Sequence, residues 1–258
     1  VLRGGLPLLG LREMASDDEA QRAHPPIEMM ASGDWLVPRL NGEPYIKKPP
    51  LIYWQTVPYY AVLGVSEWSA RIGSVVGGVA VGAVMLAWSR RLLGPRGGLL
   101  ATLFLVTNVL VVGKTRQCQL EIHLLLWTIL ALWAWLSALQ RLESRVAGFS
   151  RLVMLGGAAL AVANMYKFPV PWLFTLSPVL ATIVVRRQWG WLARPQWLVA
   201  LAISAAPFLV WNWAAAEAVG WETIQRIYQK EVELRLHPTD IRSEEHTSEL
   251  ASPCNLVC

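Results

Sequence analysis

Six apolar stretches, each bounded by basic residues, set the rhythm of this sequence. Ile72 to Trp88 leads to Arg90, Arg91 and Arg96. Gly97 to Gly113 leads to Lys114 and Arg116, and Leu120 to Leu139 to Arg141, Arg145 and Arg151. Leu152 to Tyr166 meets Lys167, Val170 to Val185 ends at Arg186 and Arg187, and Trp197 to Trp213 follows Arg194. A helix needs about 17–25 residues to cross roughly 30 Å of hydrocarbon, and these runs reach that length or fall slightly short of it. Only helices and closed barrels satisfy the backbone in lipid, and the runs lack the two-residue alternation of barrel strands. The pattern predicts an all-α, polytopic membrane bundle of about six spanning helices over residues 72–213. Gly77, Gly78, Gly156 and Gly157 would let neighbouring helices approach closely.

The arginine clusters at 90–96, 141–151 and 186–194 alternate with the other helix ends, which assigns them to the cytoplasmic side. Residues 15–71 then form an outer-face loop, and residues 214–241 a second one. Asp17, Asp18 and Glu19 open the first loop as acids suited to a helix N-terminus, and His24-Pro25-Pro26 predicts an interruption shortly after. Residues 50–65, with Tyr53, Trp54, Tyr59 and Tyr60, have the aromatic-belt composition of an interfacial helix, kinked at Pro58. Between these lies SGDWLVPRLNGEPYIKKPPLIYW, residues 32–54, rich in proline and carrying two adjacent lysines.

Composition sharpens this picture. The 258 residues are 54% hydrophobic and 16% charged, with 14 tryptophans, against roughly 25% charged in soluble domains. The formal charge of +5 is therefore no sign of nucleic-acid binding, because basic residues at helix ends are expected in a membrane protein. Cys118 stands alone, and no zinc spacing or disulfide framework is visible. The chain begins with Val, and residues 1–14 read as a truncated or irregular N-terminus of a fragment. Residues 242–258, RSEEHTSELASPCNLVC, resemble the translation of a sequencing-library adapter. They are set aside as a non-native tail, the alternative being a genuine disordered one.

Lys47, Lys48, Lys114, Arg116 and Lys167 all fall on the supposedly base-poor outer face. Each alone is accounted for by interfacial snorkelling; five together suggest a cationic pocket for an anionic group.

The order of short blocks along the chain resembles the bacterial GT-C-type membrane glycosyltransferases. The nearest branch holds the lipid A aminoarabinose transferases and protein O-mannosyltransferases. The matching blocks are Asp18-Glu19, Ser32 to Trp35, Tyr45 with Lys48 to Pro50, Glu67 to Arg71, and Lys167-Phe168-Pro169. The resemblance covers about residues 17–236 and departs in places. Gln21-Arg22-Ala23-His24 stands where the family has Arg-Tyr-Ala-Glu, and Glu121 stands where an Asp is common.

The resemblance implies transfer of a sugar from a polyprenyl-phosphate carrier to a lipid or protein acceptor at the outer (periplasmic) face of the bacterial inner membrane. It implies Asp18 as the catalytic base, Glu19 as its orienting partner and Asp17 as the substitute. Lys48, Lys114, Arg116 and Lys167 would bind the donor phosphate, and Tyr45, Tyr53, Arg71 and Glu121 would line the substrate pocket. Some members carry a carboxylate and a histidine suited to a divalent metal. Here Lys47 and Val232 occupy those places, so no metal ligand is assigned. The fragment itself is expected to be inactive. A polytopic transporter or flippase of an anionic lipid-linked substrate is the alternative; it predicts midplane charges and an internal repeat. A non-catalytic scaffold whose proline-rich segment is a plain connector is the blander one.

Overall fold

The computed structural model describes residues 17–144 and 147–236, which form two compact units: 17–70 with 211–236, and 71–210. The sequence readings of residues 1–14 and 242–258 lie outside the described residues.

The first unit begins with two short helices, α1 (Asp17–Ala23) and α2 (Pro25–Ser32). The expected interruption falls at His24, and the prolines then open the second helix. At a first-turn position a missing N–H costs nothing and the fixed φ is already helical. Gly33 closes α2 with φ 73°. A two-pair antiparallel hairpin follows, β1 (Arg39–Leu40) and β2 (Glu43–Pro44), turning through Asn41 and Gly42, both at positive φ. This Asn-Gly pair is the favoured chemistry for a two-residue turn.

Helix α3 (Leu51–Leu63) contains Pro58 as read from the sequence, but its aromatic residues are not all interfacial. Tyr53 and Tyr60 are buried within the unit, and the Tyr60 hydroxyl donates to Ala23 O at 2.9 Å. The expectation of an aromatic belt is corrected there, because Tyr60 is fastened to the end of α1 and Tyr53 is fully buried rather than facing the membrane interface. Ser66 and Ser69 then cap the next helix reciprocally. The Ser69 amide donates to Ser66 Oγ at 3.2 Å, and the Ser66 amide donates to Ser69 Oγ at 3.0 Å.

The second unit is the helical bundle. Its first element is α4 (Glu67–Val106), which reverses direction at Gly94 (φ 75°, ψ 177°) ahead of Pro95. The two limbs lie so close that a Cβ on Gly98 would stand 2.6 Å from Arg90 Cα, and Ser89 Oγ donates to Gly98 O at 3.0 Å. The predicted continuous helix 97–113 is instead broken. The second limb stops at Val106, and α5 (Val109–Thr115) starts afresh with the Asn108 side chain accepting the Leu110 amide at 2.9 Å. A good N-cap residue outweighed unbroken hydropathy.

Helices α6 (Glu121–Glu143), α7 (Phe149–Asn164), α8 (Val170–Val185) and α9 (Pro195–Val219) complete the apolar set. Three helices among the described residues are long and apolar enough to cross a membrane: α4, α6 and α9. Helices α7 and α8 are shorter apolar ones. The core gathers around Trp135, which is fully buried, stands edge-on to Trp197 at 5.3 Å and donates its indole N–H to Val153 O at 3.0 Å. Gly156 is obligatory beside it, since a Cβ would lie 2.1 Å from Trp135 Cδ1.

The stretch 214–241, expected as an outer loop, is largely helical in its described part. It contains the end of α9 and α10 (Trp221–Leu236), joined where Asn212 Nδ2 donates to the Tyr228 hydroxyl.

Candidate functional site

In the first unit the paired acids separate by burial. Glu19 is fully buried, whereas the Asp18 side chain is 63% exposed. Asp18 is held from its own helix by Arg22, whose Nη2 lies 3.4 Å from Oδ2 while Nη1 donates to Asp18 O at 3.0 Å. Arg22 is itself buried, although in the sequence it marks only a departure from the family pattern.

The proline-rich segment is a braced scaffold rather than a slack connector. The Asp34 carboxylate accepts the Leu36 and Val37 amides at 3.1 Å each. Trp54 donates its indole N–H to Trp35 O at 2.8 Å and Trp211 donates to Leu36 O at 3.0 Å. Tyr45 is held twice, its amide donating to Pro38 O at 2.7 Å and its hydroxyl to Gln21 Oε1 at 2.7 Å. Lys47 Nζ sits 5.8 Å from the centre of the Tyr45 ring. Lys48 is half-buried between Ile46 and the buried Pro49-Pro50 pair, so its backbone has little freedom to wander. Tyr53, expected in the pocket, is buried in the same unit.

In the second unit the predicted residues collect at one end of the bundle. The first limb of α4 runs alongside α6 in the same direction. Ser74 Oγ donates to Gln119 O at 3.2 Å and accepts the Gln119 amide at 3.1 Å, and further along Trp88 stacks on Trp133. Lys114 Nζ lies 3.5 Å from Gln119 Oε1, and Glu121 opens α6, where a carboxylate is favoured by the helix dipole. His123, one turn in, stacks on Tyr166 with centroids 5.3 Å apart, which brings the adjacent Lys167 to the same end. Lys167 and Glu121 are half-buried, Arg71 is buried and Arg116 is exposed. The opposite end is marked by the Arg186–Glu143 ion pair and by Arg141 donating to Ala147 O at 2.9 Å.

Sequence reasoning missed Gln119 and His123. Both are buried polar residues close to an apolar run, and that mismatch was the available signal. Among the described residues, no three His, Cys, Asp or Glu side chains lie close enough together to hold a metal ion.

The family model described as dolichyl-phosphate-mannose-protein mannosyltransferase matches residues 47–213, from the lysine pair through the bundle. The chain belongs to that family of GT-C glycosyltransferases. Among curated members, the undecaprenyl phosphate-alpha-4-amino-4-deoxy-L-arabinose arabinosyl transferase of Edwardsiella ictaluri is 31% identical over 188 residues, covering 71% of this chain and 33% of the relative. The enzyme of the same name from Pseudomonas aeruginosa (strain LESB58) is 30% identical over 205 residues, covering 77% and 36%. The crystal structures of ArnT from Cupriavidus metallidurans superpose with TM-scores of 0.72 in the apo state and 0.73 bound to undecaprenyl phosphate. Both are 26% identical, and each comparison covers 82% of this chain and 39% of ArnT. The chain thus spans about a third of the length of these family members. With its apolar helices, it is an integral inner-membrane protein.

Proposed function

We propose that this chain is part of a glycosyltransferase that moves a sugar from a polyprenyl-phosphate carrier to a lipid acceptor at the periplasmic face of the inner membrane. The observation that carries this reading is the likeness, at 26% identity over most of the chain, to a protein crystallised with undecaprenyl phosphate. The curated relatives, named as arabinosyl transferases of undecaprenyl phosphate-linked 4-amino-4-deoxy-L-arabinose, point to an aminopentose donor; lipid A as the acceptor follows from the resemblance seen in the sequence.

The chemistry follows from the residue types. An acceptor oxygen bonds to C1 of the sugar while the C1–oxygen bond to the carrier breaks, its electron pair leaving with the lipid phosphate. Where the acceptor is a hydroxyl, its proton needs a carboxylate within reach. Asp18 is exposed enough to meet an acceptor, and Glu19, buried behind it, suits an orienting role. The departing phosphate gains charge, and fixed cations in a water-poor setting stabilise it most in the transition state. Lys48 is the candidate cation of the first unit, and Lys114, Arg116 and Lys167 are those of the second. Of the expected pocket residues, Tyr45 and Tyr53 belong to the first unit and Arg71 and Glu121 to the second.

Binding tests the reading directly. The purified chain in nanodiscs should bind undecaprenyl phosphate well above undecaprenol, and Lys48→Ala should remove most of that preference. Equal affinity for the phosphate and the alcohol would overturn the proposal. In the complete reading frame, undecaprenyl-phosphate-linked aminoarabinose should be cleaved; movement of the intact donor across the bilayer without cleavage would identify a flippase instead.

A further inference from the structure

The Asn41-Gly42 hairpin has only two pairs, Arg39 with Pro44 and Leu40 with Glu43, and one partner is a proline without an N–H. A ladder this short does not hold itself in water. The structure supplies an external fastening from thirteen residues upstream. Glu28 Oε1 accepts the Asn41 amide at 2.6 Å, and Oε2 accepts the Gly42 amide at 3.1 Å. His24 Nδ1, one helical turn before, lies 3.0 Å from the same Oε1. A carboxylate fits this task because two successive N–H groups at a positive-φ turn point the same way, and a charged acceptor bonds them about twice as strongly as a neutral one. Both turn residues have the positive φ that the arrangement requires, Asn41 at 56° and Gly42 at 82°.

Six residues beyond Gly42 comes Lys48, and everything between is pinned to the outcome of that turn. Pro38 O receives the Tyr45 amide across the hairpin, Ile46 is buried, and Pro49 and Pro50 close the segment. A one-residue slip at Asn41-Gly42 would send every following side chain to the opposite face. We infer that Glu28 is a positioning residue for carrier binding: its carboxylate clamps the Asn41-Gly42 turn on α2 and thereby sets the register that aims Lys48. The inference rests on the proposed role of Lys48 at the carrier phosphate.

Two measurements on the full chain in nanodiscs test it. The first is hydrogen exchange at the Asn41 and Gly42 amides, which reads the clamp without any ligand. Glu28→Ala should speed exchange there at least tenfold, and Glu28→Gln, which keeps one carbonyl acceptor, should fall between. Glu43→Gln, removing an exposed carboxylate on the same hairpin, should leave it unchanged. The second is undecaprenyl phosphate affinity in a double-mutant cycle. Glu28→Ala should weaken binding about tenfold in the wild-type background and by less than about twofold in the Lys48→Ala background. Unchanged exchange in Glu28→Ala, or faster exchange with unchanged affinity, overturns the inference. So does an equal loss in both backgrounds, since Glu28 would then act independently of Lys48. If the wild-type chain fails to bind undecaprenyl phosphate while exchange still responds to Glu28, the functional reading fails, and the role in carrier binding fails with it. The clamp itself would stand.

Discussion

Replacing Gly156 with alanine should loosen the bundle at its tightest point. The added Cβ would stand 2.1 Å from Trp135 Cδ1 and 2.3 Å from Nε1, where carbon atoms normally keep about 3.5–4.0 Å. The indole would therefore have to retreat by about 1.4 Å or more. It has nowhere to go: Trp135 is fully buried, packs edge-on against Trp197 and donates to Val153 O at 3.0 Å. Overpacking of this kind costs about 1–3 kcal/mol, and loss of the indole hydrogen bond adds about 1 kcal/mol. Alanine returns about 1 kcal/mol as the better helix former, which leaves a net loss of roughly 1–3 kcal/mol. For a chain of this size that lowers the melting temperature by about 2–12 °C. Gly113→Ala is the internal control, because a Cβ there meets nothing within 4 Å. Thermal unfolding of both variants in one detergent should show Gly156→Ala well below wild type and Gly113→Ala at or above it. A Gly156→Ala melting temperature within about 1 °C of wild type would refute the packing argument.

Three further outcomes concern the proposed chemistry and topology. Asp18→Asn in the complete reading frame should lower turnover about 10²- to 10⁴-fold with carrier affinity retained; turnover within about twofold of wild type at saturating lipid-linked sugar removes Asp18 from the mechanism and brings Glu19 and Asp17 forward. Lys48→Ala should weaken carrier binding and also slow turnover at saturation, because a cation at the phosphate acts in the ground state and more strongly as charge develops; an effect on affinity alone would show that the cation is not needed at the leaving group. Cysteines placed at 90 and 167 should react with impermeant reagent from opposite sides of the membrane; labelling from one side contradicts the alternating arrangement of basic clusters.

The helices were legible wherever hydropathy and punctuation agreed. Val170 to Val185 is bounded by Pro169 and Arg186, and α8 has those same limits. The break at Asn108 was also written in the chain, as an N-cap residue inside an apolar run, but length and hydropathy argued for continuity. Other features depend on contacts between distant residues and leave no local pattern. Adjacent Asp18 and Glu19 differ completely in burial, and nothing in Asp-Glu says which one turns inward. Tyr53 reads as an interfacial anchor, yet it is fully buried in the folded unit. The roles of Glu28 and Asp34 follow from which backbone amides they meet, and only the folded chain fixes that.

The reversal at Gly94 has a consequence for how the protein enters its membrane. The limb after it, from Pro95 to Val106, rises only about 18 Å as a helix, well short of the roughly 30 Å hydrocarbon layer. Ser89 Oγ donates across the turn to Gly98 O, which also accepts the Thr102 hydroxyl from its own limb, so the first limb covers a polar group of the second. The preceding limb meets the Ser89 hydroxyl within itself at Met85 O, whereas the following limb is too short to span the layer by itself. The short second limb is therefore expected to enter the bilayer together with the first, as a joined pair, with Arg90, Arg91 and Arg96 beside the turn.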